Sequence, residues 1–186
     1  MTKRQARLRR VAIGETADGR PCVARDDAVA PIETPLMPGA KFFSLWGADA
    51  IPPVPNDGAL PDFRTWFPPA GGFRFQVIKL PPDNTANDAA APAPEEMKQA
   101  LKETDARLPG LIRTMDPRRP GMHRTDTIDM IYVTEGASLL VLDTGEEIAM
   151  GTGDSVVLNG QRHAWRNPHD GPCRLLTVSL GVKRAR

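Results

Sequence analysis

Residues 121–167 read GMHRTDTIDMIYVTEGASLLVLDTGEEIAMGTGDSVVLNGQRHAWRN, and two of the chain's three histidines, His123 and His163, lie near the ends of this stretch. Between them stand Asp129, a strand stopped by Gly136, a hairpin turn at Thr144-Gly145 and a second turn over residues 151–154. Side chains alternate across a strand, so residues two apart share a face. Counting from His123, one face carries Thr125, Thr127, Asp129, Ile131 and Val133. It begins polar and ends apolar, the pattern of an inner lining with a site at one end. The other face carries Ile128, Met130 and Tyr132, an apolar surface that needs cover. In the second segment His163, Trp165 and Asn167 share a face. If both polar faces point inward, His123, Asp129 and His163 converge.

The same periodicity extends outward. Short alternating runs over residues 128–133, 138–142, 146–150, 155–158, 163–167 and 174–180, each bounded by a turn, predict six strands. Their close spacing predicts an all-β fold, a small antiparallel barrel or double-sheet jelly roll. Nineteen prolines and sixteen glycines agree, since they favour many short elements over a helical bundle. Residues 10–14 and 21–25 predict a hairpin about the turn Asp18-Gly19, and residues 41–46 and 72–80 predict two further strands. One helix is expected over residues 94–108, with Glu95 and Glu96 in its first turn, a thin stripe of Met97, Leu101 and Leu108, and Pro109-Gly110 as its stop. The expected organisation is an N-terminal β-arm with long loops over 1–110 and a core over 111–186, together one folded domain. Phe63, Trp66 and Phe67 in the loop of residues 47–72 are expected to pack on the body or over a cavity mouth.

Twenty-four basic residues against 23 acidic ones leave no global field for nucleic acid or membrane. The basic cluster Lys3–Arg10 reads as a solvated end. No apolar run approaches the roughly 20 residues of a bilayer span, and the basic N-terminus has no apolar stretch after it, so the expected compartment is the cytoplasm. Cys22 and Cys173 are expected as free thiols.

Two imidazoles and a carboxylate suit a divalent metal, either as a facial Fe(II) set or as catalytic zinc. Without metal the same groups perform proton chemistry near neutrality, or they simply line a binding barrel. The stretch resembles the cupin family, whose first motif runs His-any-His, Glu and Gly, and whose second runs Gly-Asp, Gly, His and Asn. His123 falls on the first histidine, Asp129 on the glutamate and Gly136 on the glycine; Gly153-Asp154, Gly160, His163 and Asn167 fall on the second motif. Thr125 stands at the second-histidine position, Asp129 is one methylene shorter than Glu, the proline usual before Gly160 is absent, and the second motif is one residue tighter. The resemblance implies a jelly roll acting on a small molecule, as a dioxygenase, decarboxylase, isomerase or lyase. It implies His123, Asp129 and His163 as catalytic residues and as ligands of Fe, Zn, Mn or Ni, with Thr125, Thr127, Trp165 and Trp66 around the substrate. Two alternatives stay open: a metal-free epimerase or isomerase with a His–Asp pair, and a non-catalytic binding barrel. A homodimer is expected, through the outer face of residues 128–132 and the N-terminal arm.

Overall fold

The computed structural model describes residues 8–86 and 93–185, so most of the basic cluster at Lys3–Arg10 and residues 87–92 of the expected linker lie outside the described residues. Ten strands and a single α-helix are present among the described residues. β1 (Arg9–Glu15) and β2 (Pro21–Ala28) form the hairpin, turning at Gly19, whose φ of 79° a residue with a Cβ rarely adopts. The body consists of two antiparallel sheets. In the first, β3 (Lys41–Ala48), β4 (Phe73–Leu80), β10 (Cys173–Gly181), β5 (Thr127–Glu135) and β8 (Ser155–Asn159) lie side by side in that order. The second has the order β7 (Glu147–Gly151), β6 (Ala137–Leu142), β9 (His163–Arg166). This is the mostly-β jelly-roll architecture that the alternation predicts. The larger sheet draws strands from both sides of residue 110.

Alternating inward residues of the two sheets make one core. Ile131, Val133, Leu158, Cys173 and Leu175 from the larger sheet meet Leu140 and Met150 from the smaller. Full burial of each such aliphatic side chain stabilises by about 1.5–3 kcal/mol. Gly136 makes the β5–β6 corner: it has a φ of 76°, and a Cβ there would sit 2.3 Å from the Pro172 carbonyl oxygen. The motif glycine is therefore a packing requirement as well as a conformational one.

A second cluster of Ala40, Phe42, Trp66, Leu108 and Leu111 ties the helix end and the long loop to the body. α1 (Pro94–Arg107) starts with the Glu96 carboxylate accepting from the Ala93 N–H at 2.9 Å. Of its expected apolar stripe, only Leu108, just past its end, is buried; Met97 and Leu101 are exposed. The helix is anchored at its C-terminal end, where Leu108 packs and Arg107 donates to the Glu33 carbonyl, so its first turns have no surface to cover. No helix of the described residues is long and apolar enough to cross a membrane.

The loop between β3 and β4 is clamped by Arg74, whose side chain is 0% exposed. Its guanidinium donates to the carbonyls of Thr65, Ala48 and Phe73 and to Asp49 Oδ1 at 2.6 Å, and it lies 4.1 Å over the Phe63 ring. This clamp positions Trp66 and Phe67. Arg74→Met leaves three carbonyls and the partly exposed Asp49 without their donor, and the expected loss is about 1–3 kcal/mol, the cost of leaving a buried polar group unsatisfied. Urea unfolding measures it; a loss below about 1 kcal/mol, the range of a surface ion pair, would show that the clamp is dispensable.

Candidate functional site

The site begins with backbone. His123, four residues before β5, and His163, the first residue of β9, exchange reciprocal N–H···O bonds of 2.9 and 3.0 Å. This bridge links the end of one sheet to the end of the other and sets the two rings 4.3 Å apart between centroids. Phe67, from the clamped loop, stacks on the far side of His123 at 6.2 Å with an interplanar angle of 22°.

Each imidazole is oriented in the same way. His123 Nδ1 lies 3.0 Å from the Gly121 carbonyl oxygen, and His163 Nδ1 lies 3.0 Å from that of Gln161. A carbonyl only accepts, so each Nδ1 carries a proton and each neutral ring keeps its lone pair on Nε2. Burial and the neighbouring His163 push His123 down to about 4, and burial lowers His163 as well. At neutral pH both rings are uncharged bases.

Asp129 is 5% exposed, and burial raises its pKa against the hydrogen bonds that favour its charged form. Thr127 Oγ1 donates to Asp129 Oδ2 at 2.9 Å, and Thr125 Oγ1 lies 2.6 Å from Thr127 Oγ1 and 3.5 Å from the same carboxylate oxygen. With Thr127 donating to the carboxylate, Thr125 donates to Thr127. Ser179 lies opposite Asp129 in the β5–β10 register. Asp129 Oδ1 is buried without a partner.

These groups border a cavity of about 430 Å³ between the sheets. His123, Asp129, His163, Trp66 and Trp165 all line it. Thr125 and Thr127 do not: they are buried behind Asp129 and hold its carboxylate. Gln76 on β4 and Thr177 and Ser179 on β10 line the wall that sequence reading leaves blank. A signal for them exists. In CRLLTVSLG and FRFQVIKL the polar Thr177, Ser179 and Gln76 alternate in phase with the buried Leu175 and Arg74. Asn167 holds a turn, accepting from His169 N–H and donating to the Gly171 carbonyl at 2.9 Å. Arg166 is exposed and makes surface ion pairs with Asp83 and Glu147.

A resident ion needs several donors converging on one point. Among the described residues no group of three or more His, Cys, Asp or Glu side chains is placed to hold one. The two Nε2 atoms are suitable ligands and Asp129 Oδ1 is free, while Asp129 Oδ2 is held by Thr127 and Thr125 supplies no imidazole. As placed, the expected set of two histidines and an aspartate is not drawn together into a metal centre.

Residues 112–179 match the family model described as Cupin domain. Over 82 residues the chain is 42% identical to the phomopsin biosynthesis cluster protein C' of Diaporthe leptostromiformis, covering 41% of this chain and 43% of that protein. It is 40% identical over 65 residues to the oryzines biosynthesis cluster protein J of Aspergillus oryzae, covering 34% and 36%. The matched part thus spans less than half the length of these relatives. Among solved structures, the polyketide cyclase RemF of Streptomyces resistomycificus is similar at 18% identity, a TM-score of 0.43 and coverage of 85% of this chain and 82% of that one.

The neutral histidines make stability depend on pH. Unfolded, His123 titrates near 6.5; folded, near 4, so the unfolded chain binds more protons in between. This contribution is complete above pH 6.5 and is lost as pH falls toward 4. The raised Asp129 acts oppositely, its cost being relieved as pH falls. Urea unfolding across this window is expected to show a shallower acid loss in His123→Gln than in the parent chain. Parallel curves would mean that His123 is not held neutral by the fold.

Proposed function

Residues 112–179 form a cupin domain, and from that premise we propose that the chain is an enzyme that moves a proton on a small, largely apolar organic molecule bound between the sheets. The observation that carries this reading is the pair of uncharged imidazoles, each with Nδ1 tied to a carbonyl and Nε2 left free, beside a buried carboxylate. His123, half-buried on the cavity wall, is the general base. Its Nε2 accepts the proton, and the Gly121 carbonyl and the charge of Asp129 both favour the imidazolium that results. His163 keeps its proton on Nδ1 and packs against the His123 ring. Phe67, Trp66 and Trp165 exclude water and supply flat apolar surface. The matches to proteins of fungal biosynthesis clusters support a role in building a secondary product. No step of this reading is assigned to a metal ion, since the three groups are not drawn together as placed.

Exchange of the acidic C–H protons of beta-tetralone in heavy water, followed by NMR, tests the proton-transfer step with an uncharged aromatic ketone. The chain is expected to accelerate exchange over buffer, and His123→Gln is expected to reduce it by about 10²–10⁴-fold, the usual weight of a general base. Exhaustive chelation is expected to leave the rate unchanged. Exchange no faster than in buffer, or unaffected by the substitution, overturns the assignment.

We also propose that the chain pairs with a second copy through the outer face of the larger sheet. Met130, Tyr132, Val157 and Leu180 are 40%, 45%, 57% and 36% exposed there, and Met130 and Val157 are direct cross-strand partners. Such a patch is self-complementary about a twofold axis. Light scattering at micromolar concentration is expected to give a dimer, and Tyr132→Lys with Met130→Glu a monomer; a monomeric parent chain overturns the pairing.

A further inference from the structure

The cavity offers hydrogen-bond acceptors in excess, and among the described residues no lysine or arginine lines it. The Nε2 atoms of His123 and His163 accept, as does the orphaned Asp129 Oδ1. Gln76 donates one amide N–H to the Trp66 carbonyl at 3.1 Å, which leaves its oxygen and its second N–H for other partners. Ser179 stands opposite Asp129 on the same wall. Thr177 sits between Gln76 on β4 and Ile131 on β5, is 5% exposed, and has a hydroxyl with no partner. Two buried polar atoms on one cavity wall, Asp129 Oδ1 and Thr177 Oγ1, are thus left without partners, where native interiors pair nearly all such groups.

A ligand that satisfies this wall must donate hydrogen bonds. It must also be uncharged, since a carboxylate or phosphate would be desolvated beside Asp129 and acceptor nitrogens with no cation to neutralise it. The apolar remainder, Phe42, Trp66, Phe67 and Trp165, suits an aromatic ring system. We infer that the row Gln76–Thr177–Asp129 is a ligand-recognition subsite that selects an uncharged, hydroxylated aromatic molecule and rejects its carboxylate counterpart. This rests on the cavity being the ligand site, and it names the class of molecule that site takes. Thr177 is the donor for a ligand oxygen, and Asp129 and Gln76 receive ligand hydroxyls.

Three probes with one ring system separate the terms: naphthol, methoxynaphthalene and naphthoate, titrated calorimetrically into the full chain. Naphthol is expected to bind most tightly, methoxynaphthalene about 2–10-fold more weakly for want of a donated bond, and naphthoate at least about tenfold more weakly. Thr177→Val is expected to weaken naphthol and methoxynaphthalene alike, since both bring the oxygen that Thr177 meets, while Thr177→Ser retains the binding of both. Asp129→Asn removes the buried charge and is expected to improve naphthoate relative to naphthol. Naphthoate binding as tightly as naphthol overturns the selection against anions, and equal binding of naphthol and methoxynaphthalene overturns the hydroxyl subsite. If none of the three binds, the cavity is not a ligand site and the inference falls. If tetralone exchange is accelerated while naphthoate binds as well as naphthol, the selectivity falls and the proton-transfer reading stands.

Discussion

The reciprocal backbone bridge between His123 and His163 is the constraint on which the site depends. It joins the lead-in to β5 in the larger sheet to the start of β9 in the smaller. Two sheets packed face to face share a core but are free to splay at their ends. Here two N–H···O bonds tie one end together, and the histidine rings are carried by the very residues that make the tie. Their orientation therefore follows from sheet pairing, with each Nδ1 anchored to a carbonyl only two residues away. Such short-range anchoring costs little chain entropy, because both partners are already fixed by the bridge.

Preorganisation of this kind has an electrostatic consequence. Neutral imidazoles are cheap to bury, whereas a carboxylate is not, and the fold treats them differently. The histidines receive one backbone acceptor each, while Asp129 receives a hydroxyl donor from Thr127, itself backed by Thr125. One carboxylate oxygen is satisfied and the other is not. A half-satisfied buried polar group costs stability, and where it borders a cavity its missing partner comes from whatever enters. The clamp on Arg74 has the complementary role: a fully satisfied buried cation fixes the loop that brings Trp66 and Phe67 over the same space.

Local pattern made much of this legible. Period-two alternation located every strand of the body to within a residue or two, because a one-residue slip would turn an inward row such as Ile131 and Val133 to solvent. Face counting from His123 likewise put His123 and Asp129 on one side. Register across strands was not legible, since nothing in the chain near Asp129 shows that Ser179, fifty residues later, lies opposite it. Gln76 and Thr177 escaped for the same reason: they become neighbours only when β4 and β10 pair. Helical period predicted the element α1 but overstated its docking. A stripe of Met97 and Leu101 is not buried unless another surface meets it, and here none of the described residues does.

Thr125 shows why motif position and chemistry can part. A histidine at that place would offer a third imidazole to the space beside His123. Threonine is shorter, points its hydroxyl at Thr127, and is 4% exposed behind the carboxylate. Asp129, one methylene shorter than glutamate, is drawn back toward the same hydroxyls. The two changes are coupled: the short acid needs nearby donors, and the threonines supply them where a histidine would not fit as well. Together they place a histidine pair with free Nε2 atoms and a carboxylate with one free oxygen on one cavity, the second carboxylate oxygen being held from behind by hydroxyl groups. The threonines thus fix the position of the acid while the two imidazoles stay uncharged beside it.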